Sequence, residues 1–177
     1  AKLYCFGESG NAYKAALALT LADMEWDPIF VDFFNGEARS PEFREINPMG
    51  EVPVLEDADL VLTQSGVIQD YVSSKTGKLG GRSAAERRDI LRWMFFDNHK
   101  VSGVAGVLRF NTNFLPKEKR NADVNAFLLT RLTSALKIME TQLDSLTANE
   151  TNALIHFADG TTQEWLMLHM EKPAEDE

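Results

Sequence analysis

The apolar pattern of this chain changes its period once, near residue 78, and that change restricts the fold more than any single motif. Up to that point, short β-branched and aromatic runs are interleaved with alanine- and leucine-rich stretches of helical period. Leu3-Tyr4-Cys5-Phe6 stops at Gly7 and predicts a buried strand. From Asn11 to Asp23, Ala12, Ala15, Ala16 and Leu19 fall on one helix face. Trp26 to Phe33 predicts a second strand. Ser40-Pro41-Glu42 supplies an N-cap, a first-turn proline and a carboxylate at the positive helix end, which opens a short helix through Ile46. Glu51 to Leu55, the turn Asp57-Ala58-Asp59 and Leu60 to Thr63 have the spacing of a hairpin. Ser65 then reads as the cap of a helix carrying Val67, Ile68, Tyr71 and Val72.

The order strand–helix–strand–helix–hairpin–helix predicts a small sheet with helices on its faces over residues 1–78. Gly80-Gly81 breaks the pattern, so 79–82 reads as a linker and 83–177 as a helical domain. Ser83-Ala84-Ala85-Glu86 is a capping box opening a long helix through Trp93, Phe96 and His99. Leu129, Leu132, Leu136, Met139, Leu143 and Leu146 form a seam with a period near 3.5, expected as core. After 147 the pattern is atypical. Thr161-Thr162-Gln163-Glu164 is read as capping a last helix with Trp165, Leu166 and Leu168, and 171–177 as an acidic tail.

Composition narrows the function classes. Eighteen Lys and Arg against 27 Asp and Glu give a net charge of −9, which disfavours a general nucleic-acid binder needing surplus cations. Residues 1–78 hold 6 basic and 13 acidic residues, net −7. No apolar run reaches the ~18–20 residues that span a bilayer, and no leader pattern precedes Lys2, so a soluble cytoplasmic protein without membrane attachment is expected. One cysteine, Cys5, excludes an internal disulfide and suits a reducing compartment. The three histidines, His99, His156 and His169, have no metal-ligand spacing, so no metal is expected.

Three segments carry a more specific signal: Leu3-Tyr4 through Ser9-Gly10-Asn11; Ser40-Pro41-Glu42-Phe43 with Asn47-Pro48-Met49-Gly50-Glu51-Val52-Pro53-Val54-Leu55; and Leu62-Thr63-Gln64-Ser65. In this order they resemble the cytosolic glutathione S-transferase family, most of all its serine-type bacterial and plant branch, from Lys2 to about Leu146. The resemblance implies an α/β thioredoxin-like N-terminal domain followed by an all-α helical domain. It further implies a homodimer, glutathione as co-substrate and a small hydrophobic electrophile as its reaction partner.

The resemblance implies roles for particular residues, each of which also has a plainer structural one. Ser9 lies between a strand end and a helix start, where its hydroxyl and free amides can face one anion, a thiolate in this family; the plainer role is a cap. Val52-Pro53 is similar to the family's cis-proline turn, which presents backbone to the cysteinyl part, or else is an edge-strand proline. Gln64 and Ser65 are similar to the pair holding the γ-glutamyl end, although Ser65 also suits a cap. Asn11 and Arg39 complete the implied glutathione-binding set, with Arg39 equally suited to solvent. Asp70 is in place either to reach a bound amino group or to support its helix. Cys5 is expected buried and inert. Trp93, Phe96, His99, Val104, Leu108 and Phe110 read as core with part of an electrophile pocket.

The sequence departs from the family pattern after Leu146, where the glycine turn, the Ser/Thr-x-x-Asp capping motif and the further helices are not found. Gly10 also replaces the usual residue after the serine. These departures keep two alternatives beside the transferase: a non-catalytic glutathione-binding or assembly module, and a glutathione-dependent reductase or isomerase.

Overall fold

The structure, a computed structural model, describes residues 1–144. Leu146, the atypical stretch after 147, the expected last helix and the acidic tail lie outside the described residues. The chain divides into two compact units, residues 1–82 and a second beginning at Ser83.

In the first unit, strand β1 (Lys2–Cys5) leads into helix α1 (Gly10–Leu21), followed by β2 (Asp27–Phe30), α2 (Pro41–Ile46), the hairpin β3 (Val54–Asp57) and β4 (Leu60–Thr63), and α3 (Ser65–Thr76). The sheet order is β2-β1-β3-β4, with β2 parallel to β1 and the other pairs antiparallel. β2 is an edge strand, where Pro28 can sit without removing an interior ladder bond. It is shorter than the expected Trp26–Phe33. After Val31 donates its amide to the Cys5 carbonyl at 2.9 Å, Asp32 turns the chain by accepting from the Asn35 amide (3.3 Å) and side chain (2.8 Å).

Strand alternation sorts the core onto two faces. Leu3, Cys5 and Leu55 point to one face and meet Ala12, Ala15, Ala16 and Leu19 of α1 and Ile68 and Val72 of α3. The alanines let α1 lie close to the sheet. Val54 points to the other face, with Val31, Ala38 and Phe43, the last on α2. Ser9 and Ser40 cap α1 and α2 by accepting from the Ala12 and Phe43 amides at 3.2 and 3.1 Å. A four-stranded mixed sheet between these helices is the thioredoxin-like arrangement the resemblance implies. α3 corrects one expectation: Gln64 occupies the N-cap position at φ +69°, and Ser65 is the first helical residue, not the cap.

In the second unit Ser83 caps α4 (Ala84–Phe96) by accepting from the Glu86 amide at 3.2 Å. α4 runs through a wide π turn, Asp97–Ser102, into α5 (Gly103–Arg109) and a second π turn, Phe110–Phe114; backbone angles at the junctions remain helical. Ser102 Oγ bonds to the Asp97 carboxylate at 2.9 and 3.0 Å, across the first of these turns. α6 (Ala122–Asp144) packs on α5.

Two core expectations are corrected here. The inward line of α6 is Asn125, Leu128, Leu132, Ala135 and Met139, whereas Leu129 and Leu136 are 56% and 47% exposed. Along the preceding helices Val104 is buried and Trp93, Phe96 and Leu108 are half-buried, but His99 and Phe110 are exposed.

Candidate functional site

The β3–β4 register explains why a cleft forms where it does. Val54 and Thr63 are paired, so the residues before Val54 run beside those after Thr63. This brings Val52 and Pro53 next to Gln64 and Ser65. Together with Asn11, Asn47 and Glu51 they line a shallow, open depression.

The loop that delivers Val52 is tightly fixed. Asn47, 1% exposed, donates from Nδ2 to the Glu51 carbonyl at 2.7 Å and accepts the Met49 amide on Oδ1 at 3.1 Å. Arg44 donates to the carbonyls of Arg39 and Pro48, both at 3.3 Å. Gly50 adopts φ +65°, and a Cβ there would stand 2.9 Å from the Ala38 carbonyl oxygen. The Val52-Pro53 peptide is cis.

On the other wall, Gln64 holds a left-handed φ that is rare outside glycine. Its Nε2 donates to Met49 Sδ at 3.2 Å and to Glu51 Oε2 at a long 3.4 Å. The first α3 ladder bond runs from the Ile68 amide to the Gln64 carbonyl, and Gln64 makes no side-chain cap. The amides of Ser65, Gly66 and Val67 therefore precede the ladder at the positive end of the helix dipole. α1, α2 and α4 each close the same deficit with a serine. The uncapped start of α3, with Ser65 7% exposed beside it, is suited to a carboxylate.

Of the residues singled out from the sequence, the structure brings Asn11, Val52, Pro53, Gln64 and Ser65 together in this cleft. Ser9 and Arg39 are not among its lining residues. Half-buried Ser9 accepts the Ala12 amide, which occupies a lone pair and leaves its hydroxyl proton able to donate. Arg39 is exposed, its guanidinium 5.8 Å from the centre of the Phe33 ring. Asn47 and Glu51 are lining residues the sequence reading missed. Their signal in the sequence is an amide residue before Pro48-Met49-Gly50 and a charged residue directly before Val52.

Cys5 is fully buried, its Sγ donating to the Leu3 carbonyl at 3.2 Å, and burial pushes its thiol up to about 12. Such a thiol holds its proton at neutral pH and is no nucleophile. Burial, followed by the bond to Glu56 at 3.1 Å, also raises the Tyr4 phenol. Among the described residues no three His, Cys, Asp or Glu side chains converge as metal ligands. No described helix is long and apolar enough to cross a membrane.

Comparison with known proteins places this geometry in a family. The model of the glutathione S-transferase N-terminal domain matches residues 1–74, which include every described lining residue of the cleft. Glutathione S-transferase 4 of Zea mays is 30% identical over 150 residues, 82% of this chain and 67% of the maize protein. A possible glutathione S-transferase from Rhodopseudomonas palustris is 35% identical and superposes with a TM-score of 0.73, covering 81% of this chain and 71% of that one. The theta class enzyme of Xanthomonas axonopodis pv. citri, solved with glutathione bound, is 28% identical with a TM-score of 0.75, covering 81% and 70%. Over other curated relatives the match spans about a third of their length. The shared motifs, the sheet order and the cleft they build agree on one assignment: the chain belongs to the glutathione S-transferase family.

Proposed function

We propose that the protein is a serine-type glutathione transferase that joins the thiolate of bound glutathione to a small hydrophobic electrophile. The observation that carries this reading is the cleft itself, where the Val52 backbone stands beside the uncapped start of α3. In the proposed complex the α3 amides and Ser65 hold the γ-glutamyl carboxylate, with Gln64 beside them, and the Val52 backbone pairs with the cysteinyl unit. Asn11 closes the wall nearest α1, and Arg39 is given no ligand contact. The Xanthomonas relative, solved with glutathione bound, supports the choice of ligand.

Ser9 is the proposed catalytic residue. Its proton donates to the sulfur while its oxygen continues to cap α1, so one hydroxyl orders the helix and steadies the anion. A free thiol ionises near 8.5, and lowering that to about 6.5 requires roughly 2.7 kcal/mol of preference for the thiolate. The thiol proton passes to solvent, and the sulfur then forms the new bond as the electrophile's leaving group departs with its electron pair. A cytoplasmic homodimer is the proposed working form.

The test is the thiolate absorbance of bound glutathione titrated against pH, read alongside turnover of an aromatic chloride. Ser9→Ala is expected to return the bound thiol to within about a unit of its free value, lowering turnover at pH 6.5 at least about tenfold with little change in affinity. A thiol that titrates normally in the wild type, together with unchanged turnover in the variant, overturns the mechanism.

A further inference from the structure

The cleft has an unusual charge balance for a site that is to hold a peptide with two carboxylates. Among the described residues that line it no lysine or arginine appears, and Glu51 is the single formal charge. A carboxylate placed there repels an anion unless some part of the ligand is cationic. An α-amino acid end supplies that part, since it carries an ammonium and a carboxylate on one carbon, so whatever binds the carboxylate holds the ammonium within about 3 Å of it.

The position of Glu51 fits the ammonium. Its Oε2 lies 3.4 Å from Gln64 Nε2, so the carboxylate stands beside the residue that immediately precedes the α3 amides. That bond is long and its donor neutral, so an ammonium is the stronger partner for the same oxygen. The Glu51 backbone is pinned through its carbonyl by the buried Asn47, which limits where the side chain can reach. Asp70, the other acid considered from the sequence, is exposed and five residues further along α3, about 7.5 Å down the axis, and does not line the cleft.

We propose that Glu51 receives the α-ammonium of the ligand's γ-glutamyl end, making it the residue by which the cleft selects a free amino group. The inference rests on the glutathione reading above and adds the determinant of charge specificity. Gln64, displaced from Glu51, keeps its amide for the neighbouring carboxylate.

Calorimetric titration of the whole chain with glutathione and with its des-amino analogue, N-glutaryl-cysteinylglycine, tests it. Wild type is expected to prefer glutathione. Glu51→Gln is expected to weaken glutathione binding by about threefold to tenfold, with the analogue's Kd within about twofold of wild type and the preference lost. Glu51→Asp, which keeps the charge on a shorter arm, should fall between. Equal or tighter binding of glutathione by Glu51→Gln overturns the proposal, as does an equal loss for both ligands. Should wild type bind neither ligand, the glutathione reading falls first and this inference with it, an outcome distinct from a wild type that binds both alike.

Discussion

Asp57 shows how single side chains hold the cleft in place from behind. One of its carboxylate oxygens accepts from the Tyr71 hydroxyl at 2.7 Å and also from Lys75 Nζ, while the side chain is 13% exposed. Asp57 ends β3 and its partners lie on α3, so these bonds tie the hairpin to the helix whose first turn forms the cleft wall. The Lys75 bond, then the Tyr71 bond, hold the carboxyl below its ordinary range, against a smaller upward push from burial. A carboxyl depressed in the folded state adds stability above its unfolded value near 4 and loses it as pH falls through the folded value. Asp57→Asn is therefore expected to cost about 1 kcal/mol at pH 7 and to have nearly wild-type stability near pH 2. Urea denaturation at both pH values checks this; a deficit independent of pH would assign the loss to packing.

At the scale of elements, the loop from Asn47 to Glu51 carries the cleft, and two glycines separate its requirements. Gly36 and Gly50 both sit at positive φ, +89° and +65°, but nothing lies within 4 Å of a Cβ added at Gly36, whereas one at Gly50 meets the Ala38 carbonyl at 2.9 Å. Gly36→Ala bears backbone strain alone, about 1 kcal/mol, while Gly50→Ala adds a clash with backbone and is expected to cost about 2–3 kcal/mol. Thermal denaturation compares them, and only Gly50→Ala should also weaken glutathione binding. Equal penalties would show that the loop yields without cost.

Ser9, Ser40 and Ser83 read as caps and are caps, because a hydroxyl before an apolar period satisfies an N–H wherever the backbone enters extended. Ser65 has the same look but is the first helical residue, since the left-handed Gln64 stands in the cap position. That backbone state depends on the loop and hairpin packed around it and leaves no local trace. In α6 two apolar lines share Leu132 and Met139, and spacing alone favoured the leucine-rich one; the small Ala135 decides for the other by allowing close approach. The π turns shift hydrogen-bond register without changing residue type, so the sequence pattern there is that of one long helix. Within the cleft, Asn47 and Glu51 are not legible from spacing, because Asn47 acts through bonds to the Glu51 carbonyl and the Met49 amide and Glu51 lines the cleft only once that loop is folded.

Across the whole molecule, burial is shared unequally. Among the described residues Val104 and Ala135 are the buried apolar side chains of the second unit, and the rest, from Leu3 to Val72, lie in the first. α4 buries none and leaves Phe95 71% exposed, and α6 leaves Phe127 61% exposed. Hydrophobic stabilisation scales with the area removed from water, so the second unit should open at lower free energy than the first. Native-state hydrogen exchange is expected to show amides of β1, β3, α1 and α3 exchanging through global unfolding. Those of α4 and α6 should exchange at least about 30-fold faster, a gap of about 2 kcal/mol. Every described lining residue of the cleft, from Asn11 to Ser65, belongs to the first unit, so glutathione should slow exchange there and leave α4 and α6 unchanged. If α6 instead exchanges as slowly as α1, its apolar face is covered in solution. Dilution until the proposed homodimer dissociates, followed by sedimentation, then decides whether the second copy covers it: α6 protection lost in step with dissociation would put the dimer contact on α6, and protection that persists would put the cover within the chain.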